Sequence, residues 1–326
     1  MSLLLEAKEK WSGAVQTLTL GATPASGGTR KTTVTVGGAS GLPFMHYEGK
    51  TPNRPVVAME VWDRAPEDWP APLAAALGPV VRSTADWAKK CVEEWGADLI
   101  CLKLMGTDPD FGDHSPEQAA ATVKEVLAAT GTPLIVWGCD IDHKDNEVLP
   151  RCSQAAAGEK CLLGAATEDN YKTLVAACQA DGHSLIGLSP IDINIAKQVN
   201  ILISDMGFPL GRVVMYQTTG ALGYGLEYAY SIQERGRLAA LSGDRMMALP
   251  VICMVGQEAW RAKETKATVQ EQPDWGSQEA RAVLWELTTA VALLQAGSDI
   301  MVMRHPEAVR GLKRTIDNLM AGAVSA

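Results

Sequence analysis

The sequence of 326 residues lacks the closely spaced cysteines on which most thiolate metal centres are built. Its seven cysteines are scattered, and no two of them are as close as in a CxxC motif. Iron–sulfur clusters and structural zinc sites usually take paired thiolates from one turn, so this spacing argues against a metal centre built by this chain. Several cysteines fall within apolar strand or helix patterns, where we expect small buried hydrophobic residues.

Long apolar runs and blocks of basic residues are missing as well. No stretch approaches the roughly 18 uncharged apolar residues of a membrane span, and the N-terminal MSLLLEAKEKW has too short an apolar run for a signal peptide. The net charge is −9, whereas binding to a phosphate backbone requires concentrated positive charge. These features predict a cytoplasmic protein that binds neither a membrane nor nucleic acid.

The sequence also lacks the short motifs of several common enzyme classes. It contains no HExxH, no GxxxxGK[ST], no GxGxxG after a strand and no Ser–His–Asp order. The usual hydrolase, kinase and Rossmann mechanisms therefore have no support from motifs.

What the chain does contain, from residue 56 onward, is a regular alternation of short apolar runs and longer helical patterns. Most of the runs are nearly continuous in apolar character, which is typical of parallel strands covered on both faces. The predicted strands are 56–63, 97–106, 132–139, 161–167, 183–190, 213–218, 247–256 and 299–306.

The segments between these strands carry helix signals. Ser115-Pro116-Glu117-Gln118 offers an N-cap, a proline at the first helical position and a capping-box partner. After the eighth strand, Pro306 begins a helix whose apolar residues step by three and four. Eight alternating βα units predict a closed (β/α)8 TIM barrel; a doubly wound open sheet is the alternative that the strand count disfavours.

The first 55 residues have a different pattern. VQTLTLG and KTTVTVGG alternate like two antiparallel strands around the loop ATPASGGTR. We predict an N-terminal extension, residues 1–55, whose β-hairpin covers the N-terminal mouth of a barrel formed by residues 56–326.

Barrel proteins place their functional residues at the carboxyl ends of the strands, because those loops converge over one opening. Each candidate has a structural alternative: Asp192 is equally suited to cap the next helix, and His305 to satisfy neighbouring carbonyls. The turn around Asp108, Asp110 and Asp113 reads as solvated rather than as a metal loop. The strand-end candidates are Glu60, Asp63, Lys103, Asp140, Asp142, Asp192, Asn194, Gln217, Thr218, Thr219, Gly220, Arg304 and His305.

The most unusual segment is QTTGALGYGLEYAYSIQERGRLAAL, residues 217–241. Its threonines offer hydroxyl groups, and Gly220, Gly223 and Gly225 permit close backbone approach. A large flat ligand edged with amides would suit this surface, and a tight β-to-α turn would need the same glycines. The residues alone leave both interpretations open.

This segment and several others resemble one protein family. The others are DINIAKQVNIL (192–202), GQEAWRAKET (256–265), PDWGSQEARAVLWE (273–286) and LLQAGSDIMVMRHPEAV (293–309), with LPFMHYEG and NRPVVAMEVWD near residues 42–63. Together they resemble the small subunit of the corrinoid iron–sulfur protein, a family that includes the delta subunit of the archaeal acetyl-CoA decarbonylase/synthase complex.

The resemblance implies a (β/α)8 barrel that pairs with a large subunit, which alone carries a [4Fe–4S] cluster and a cobalamin-binding domain. The cobalamin lies between the subunits and receives a methyl group from methyltetrahydrofolate through a separate methyltransferase. The methyl group then passes to the nickel centre of acetyl-CoA synthase, the partner of carbon monoxide dehydrogenase in the reductive acetyl-CoA pathway of anaerobes. The small subunit is expected to be non-catalytic.

We therefore predict that the C-terminal mouth of the barrel caps the methyl-bearing face of cobalamin, without catalytic residues or metal ligands of its own. In one departure from the archaeal pattern DPTTGALGYG, Tyr216-Gln217 stand where the family has Asp-Pro. The predicted cofactor-binding residues are Asp192, Asn194, Gln217, Thr218, Thr219, Gly220, Tyr224, Arg304 and His305.

Two rival interpretations remain. The chain could be a free-standing barrel methyltransferase that binds methyltetrahydrofolate in its own mouth, or a structural platform that orients the large subunit. Nine tryptophans beside only three phenylalanines suggest a partner surface, since tryptophan is enriched at interface hot spots. Trp62, Trp69, Trp260 and Trp275 are the candidates, with core packing as the alternative.

Overall fold

Eight short parallel strands and one separate hairpin make up the sheets of the computed structural model, which describes residues 8–322. The eight strands form where the sequence has its apolar runs, since both of their faces are buried. The strands are β1 (Thr17–Leu20), β2 (Val34–Gly37), β3 (Val56–Trp62), β4 (Leu99–Lys103), β5 (Leu134–Trp137), β6 (Leu162–Ala166), β7 (Ser184–Leu188), β8 (Val213–Tyr216), β9 (Ile252–Cys253) and β10 (Ile300–Met303).

The strand order β8-β7-β6-β5-β4-β3-β10-β9 closes on itself. A parallel bridge pairs Met215 with Val251, and the Met215 amide donates to the Pro250 carbonyl oxygen at 2.8 Å. This bridge joins β8 to the start of β9, so the sheet is a barrel. The predicted (β/α)8 fold with an N-terminal hairpin is confirmed, and the open-sheet alternative is excluded.

Helices surround the barrel as the sequence patterns predict. Ser115 and Gln118 form the expected capping box at the start of the third helix, and Pro306 lies at the first position of the last one. The helices are α1 (Ala71–Leu77), α2 (Thr84–Glu93), α3 (Pro116–Ala129), α4 (Asp142–Ala155), α5 (Tyr171–Asp181), α6 (Ile193–Asp205), α7 (Leu226–Leu241), α8 (Val255–Ala259), α9 (Lys263–Lys266), α10 (Gln278–Ala296) and α11 (Pro306–Ala321).

The strand predicted over 247–256 is much shorter in the structure. Pro250 has no amide hydrogen to donate to a neighbouring strand, and the chain leaves the extended conformation at Met254, where ψ is 61°. Helix α8 begins at the next residue. Only Ile252 and Cys253 remain as a regular strand, with Val251 bridged to Met215, and the long connection to α10 also contains α9.

Side-chain alternation divides the core into two layers. In β3, Ala58 faces the barrel interior, whereas Val57 and Met59 face the helices. The same alternation sends every second residue of the other strands inward, except in β6, where the register shifts and Leu162 and Ala165 face inward. It therefore decides which of the strand-end residues reach the C-terminal mouth and which do not.

The hairpin β1–β2 closes the opposite, N-terminal end of the barrel. Leu18, Leu20 and Val36 belong to the same apolar cluster as the inward side chains of the barrel strands. The Gly21 amide donates to the carbonyl oxygen of Lys160, two residues before β6 begins. The hairpin thus covers the N-terminal mouth as expected, while the division of the chain at residue 55 stays a prediction.

Arg30, between the two hairpin strands, anchors this closure. Its guanidinium is buried and lies 2.8 Å from a carboxylate oxygen of Glu159. It also donates to the carbonyl oxygens of Leu127 and Thr130 at 2.6 and 2.8 Å. These carbonyls lie at the carboxyl end of α3, where helical hydrogen bonds run out, so Arg30 ties the hairpin to that helix end.

Candidate functional site

The carboxyl ends of the barrel strands surround a cavity of about 300 Å³. In its wall, Trp137 meets Tyr216 edge-to-face with 5.1 Å between the ring centroids. Polar groups come from the four connections that follow β5, β6, β8 and β9. The residues that line it are Trp137, Asp140, Asp142, Asp145, Ala165, Thr167, Leu188, Tyr216, Thr218, Gln257, Glu258 and Arg261. We call this cavity and the loops around it the mouth.

A buried ion pair fills the side of the barrel next to the cavity. Glu60 follows Ala58 inward on β3, Arg304 follows Val302 inward from β10, and their side chains form two hydrogen bonds of 3.0 and 2.6 Å. The indole of Trp62 donates to the same carboxylate at 2.6 Å. Burial acts to raise the pKa of Glu60, but Arg304 outweighs it with help from Lys103, so this pKa lies below its usual value.

A second ion pair lies between β4 and β5 at the bottom of the cavity, which we call its floor. The Lys103 ammonium lies 2.7 Å from Asp140, which also accepts a 2.7 Å hydrogen bond from the Trp137 indole. Lys103 donates to the amide oxygen of Gln257 as well. Asp140 takes a left-handed conformation, with φ of 69°, which is uncommon without glycine. The inward lysine thus donates to two neighbouring side chains.

The two other aspartates of the cavity also have partners. Asp142 accepts hydrogen bonds from Thr167 and Asn170 at 3.2 and 3.3 Å. Asp145 accepts from the Cys139 amide at 2.9 Å, and burial raises its pKa to about 6. The carboxylates of the mouth therefore serve first to organise the loops after β5 and β6.

Thr218 is the predicted residue that lines the cavity most directly. Its φ of 59° places a β-branched residue in the left-handed region, a conformation that costs energy and persists only when the surroundings fix it. The hydroxyl donates to the Ser189 carbonyl oxygen at 2.8 Å. The loop after β8 is thereby tied to the loop after β7.

Thr219 and Gly220 support the same loop from inside. The Thr219 hydroxyl accepts the Met254 amide hydrogen at 3.0 Å, which links the end of β8 to the end of β9. A Cβ atom on Gly220 would lie 2.2 Å from the Gly225 carbonyl oxygen, so only glycine fits there. Both residues shape the turn, which was one of the two interpretations left open by the sequence.

Gln217 and His305 are buried but face the helices. Gln217 follows the inward Tyr216, and its amide group lies beside Gly236 of α7 without a hydrogen-bond partner within the described residues. His305 follows the inward Arg304, accepts the Glu307 amide hydrogen at 3.1 Å and stacks on Trp260. Strand alternation therefore turns both side chains away from the mouth, although both lie at strand ends.

Asp192, Asn194 and Tyr224 lie on the exposed rim. Asp192 caps α6 by accepting the amide hydrogens of Asn194 and Ile195 at 2.7 and 3.3 Å, as the structural alternative anticipated. Tyr224 donates to Glu264 at 3.1 Å. Of the predicted cofactor-binding residues, Thr218 thus lines the cavity, Arg304 lies buried in its pair with Glu60, and these three lie at the edge of the mouth.

Glu286 was absent from the sequence-based candidates, yet it supports the mouth from below. It lies on the buried face of α10 and accepts hydrogen bonds from the Arg304 amide at 2.6 Å and from the Trp260 indole at 2.8 Å. Burial raises its pKa to about 7, despite these donors. A glutamate in line with Ala282, Val283 and Ala290 on the buried face of α10 was the available signal.

The tryptophans proposed as partner contacts divide between core and surface. Trp62 and Trp260 are buried, and Trp69 packs edge-to-face on Trp62 with 5.0 Å between the ring centroids. Trp275 has 37% of its surface exposed. Core packing therefore explains three of the four.

The seven cysteines are all buried and unpaired. Within residues 8–322 no three His, Cys, Asp or Glu side chains are grouped closely enough to hold a metal ion. None of the helices described is both long and apolar enough to cross a membrane.

Comparison with known proteins gives one consistent family. Residues 18–314 match the family model described as CO dehydrogenase/acetyl-CoA synthase delta subunit. The chain is 37% identical to the acetyl-CoA decarbonylase/synthase complex subunit delta of Archaeoglobus fulgidus, over 98% of this chain and 71% of the relative. The Methanosarcina mazei protein of the same name is 38% identical, over 95% of this chain and 72% of its own length.

Among solved structures, two dihydropteroate synthases share the barrel fold. The Xanthomonas albilineans enzyme aligns with a TM-score of 0.55 at 14% identity, covering 84% of this chain and 95% of that one. The Yersinia pestis enzyme aligns with a TM-score of 0.53 at 14% identity, covering 85% and 96%. Sequence identity this low supports a common fold and nothing about ligands.

Proposed function

Because the chain belongs to the CO dehydrogenase/acetyl-CoA synthase delta subunit family, we propose that it is the small subunit of a corrinoid iron–sulfur methyl carrier. In this proposal the mouth covers a cobalamin held mainly by a large subunit, which also carries a [4Fe–4S] cluster. The assembly takes a methyl group from methyltetrahydrofolate through a methyltransferase and delivers it to acetyl-CoA synthase, the partner of carbon monoxide dehydrogenase. In this proposal the chain itself neither forms nor breaks covalent bonds.

The observation that carries the proposal is that the inward basic side chains beside the mouth, Arg304 and Lys103, are each paired with a carboxylate. Arg304 is engaged by Glu60, and Lys103 by Asp140 and Gln257. A general acid must donate a proton to a substrate and a general base must accept one from it, whereas these side chains are committed to holding strands together. A paired, rigid floor suits a surface that covers a reactive group.

The size and chemistry of the cavity agree with a covering role. About 300 Å³ lies at the lower end of the volume of pockets for drug-sized ligands, so a corrin macrocycle would rest across the opening. A corrin is a flat apolar ring edged with amides. Trp137, Leu188 and Tyr216 offer apolar contact, and Asp142 offers acceptors at the edge, so the residues present fit this group.

Protection is the function that such a cover can provide. Cobalamin in its Co(I) form supplies the nucleophile for methyl transfer, and this form is readily oxidised and protonated. The mouth would exclude water and oxidants from the cobalt face. Thr218 at the cavity and Asp192, Asn194 and Tyr224 on the rim are proposed to contact the corrin, while Thr219, Gly220, Gln217, Arg304 and His305 would act by fixing the shape of the mouth.

A steric block at the cavity tests this function. Leu188→Trp would enlarge a half-buried side chain that lines the cavity. In the complex reconstituted under anoxic conditions, we expect an altered cobalamin absorption spectrum and faster oxidation of Co(I) than in the wild-type complex. Met206→Trp, on the exposed turn after α6 at the opposite end of the barrel, is the matched control and should leave both unchanged.

The wild-type chain supplies the decisive comparison. Adding it to the large subunit should lengthen the lifetime of Co(I) and change the cobalamin spectrum. If neither changes although the two chains associate, the chain is a structural platform and the covering function is wrong.

The cavity also sustains the rival function, because its volume and its Trp137–Tyr216 wall suit a small flat heterocycle. A free-standing methyltransferase would bind methyltetrahydrofolate in this cavity without help. Isothermal titration of the isolated chain separates the two functions: the carrier subunit should show little binding, and micromolar binding would favour the methyltransferase.

A further inference from the structure

The connection between β9 and α10 forms a second cavity beside the mouth. It has a volume of about 560 Å³ and is lined by Tyr224, Arg261, Lys263, Lys266, Ala267, Glu271 and Gln272. Arg261 lines both this cavity and the mouth. Whatever covers the mouth on this side therefore comes next to the second cavity, which we call the basic pocket.

The basic pocket has an excess of positive charge in a chain whose net charge is −9. Lys263 and Lys266 are exposed, and neither has a carboxylate within 4.0 Å among the residues that the structure describes. The carboxylate of Glu271 is turned to the Thr268 amide and hydroxyl, at 2.8 and 3.0 Å. Two lysines thus present unpaired ammonium groups to solvent.

The backbone that carries these lysines is fixed in place. Arg281 on α10 donates to the carbonyl oxygens of Glu264 at 2.6 Å and Trp275 at 3.1 Å, and also to that of Ala267. The Tyr224 hydroxyl accepts the Lys263 amide hydrogen at 3.0 Å. Because hydrogen bonds already hold this connection in place, a partner that binds its lysines causes only a small further loss of backbone conformational entropy.

Exposed aromatic rings flank the lysines. Tyr224 and Trp275 have 50% and 37% of their surfaces exposed, and the Lys263 ammonium lies 5.7 Å from the Trp275 ring centroid. Tyrosine and tryptophan are the residue types that most often anchor protein interfaces, and clustered charge of one sign selects a partner of opposite sign.

We propose that the basic pocket is a docking site for an acidic segment of the large subunit, the chain whose cobalamin is proposed to lie on the mouth. This inference rests on the proposed function, because continuity with the mouth through Arg261 identifies the partner. Lys263 and Lys266 steer and hold the segment, and Tyr224 and Trp275 pack against it. The pocket would thereby fix how the large subunit sits over the mouth.

The test is the affinity of this chain for the separately purified large subunit, measured under anoxic conditions at low and high salt. Lys263→Gln combined with Lys266→Gln should raise the dissociation constant about tenfold at low salt and flatten its salt dependence. The matched control is Lys89→Gln with Lys124→Gln, which removes two exposed lysines on α2 and α3 that also have no carboxylate partner in the described chain. The control should bind as the wild type does.

Two results would overturn the proposal. One is an equal loss in the double variant and its control, which would show a general charge effect. The other is that the double variant binds the large subunit as tightly as the wild type does. This result would overturn the proposal even if the wild-type pocket bound inorganic phosphate and the double variant did not, because the pocket would then be an anion site unrelated to the large subunit. The lifetime of Co(I) is read in the same complexes, so a wild-type chain that binds without protecting cobalt would refute only the covering function.

Discussion

The two ends of this barrel are closed in different ways. At the N-terminal end, the hairpin residues Leu18, Leu20 and Val36 fill the opening with apolar side chains. At the C-terminal end, charged residues also point inward, and Glu60 and Arg304 are paired above the apolar layers. An apolar plug excludes ligands altogether, whereas a paired polar floor leaves a cavity above it.

The difference shows how one sheet supports both stability and a site. Burial of apolar surface stabilises a fold without regard to direction, so the hairpin can close the N-terminal end, here called the lower end, by packing alone. The C-terminal end is called the upper end. Charged groups in the upper end need exact partners, because a buried unpaired charge is strongly destabilising. The strain at Thr218 and Asp140, both left-handed, lies at this upper end, where a site would benefit from a fixed shape.

The largest effect is expected at the upper end. Arg304→Met would leave Glu60 buried without its partner and is expected to lower the free energy of unfolding by about 3–5 kcal/mol, measured by urea denaturation. Arg310→Met, at an exposed pair with Glu307, is the control and should change it by less than about 1 kcal/mol. Equal effects would mean that the upper pair contributes no more than a surface pair.

Truncation of a buried side chain at the lower end should lower the free energy of unfolding by a similar or slightly smaller amount. Leu20 is fully buried in the hairpin plug, so Leu20→Ala is expected to cost about 3 kcal/mol through lost burial and a residual cavity. Leu238→Ala, on an exposed position of α7, should cost little in the same denaturation experiment. A small loss for Leu20→Ala would show that the hairpin is not a structural plug.

The upper end should also respond to pH through Glu286. Its pKa is about 7 in the fold against 4.5 as the ordinary value, so between these pH values the unfolded chain binds fewer protons. The free energy of unfolding therefore falls by about 3 kcal/mol as pH rises from 4.5 to 7, and levels off above. Glu286→Gln should remove this part of the pH dependence, as measured by urea denaturation at several pH values. If the difference in free energy of unfolding between the wild type and the variant were the same at pH 4.5 and pH 7, the prediction would be wrong.

The smallest expected effect concerns the strained residue at the cavity. Both Thr218→Gly and Thr218→Ala remove the hydrogen bond to Ser189, but only glycine relieves the left-handed backbone. We expect the glycine variant to be more stable than the alanine variant by about 1 kcal/mol, measured by thermal and urea denaturation. Equal stability would mean that the backbone at 218 carries no strain.

Much of the architecture followed from local patterns. The apolar runs predicted all eight barrel strands, the alternation of VQTLTLG and KTTVTVGG predicted the hairpin, and Ser115 with Gln118 predicted the start of α3. These features depend on residues close in the chain, whose spacing decides which side chains share a face. The resemblance at residues 217–241 and 256–309 also identified the family that the comparisons show.

Only the tertiary structure decided which polar residues meet. Gln217 and His305 lie at strand ends, as Arg304 does. Each directly follows a residue that points into the barrel, Tyr216 or Arg304, so strand alternation turns it toward the helices. Glu286 joins the site from a helix far along the chain, and Lys263 and Lys266 reach the rim because Arg281 folds their connection back on α10. Sequence spacing determines faces within one element, but contacts between distant elements depend on barrel closure and on pairing in the buried interior, which no local pattern encodes.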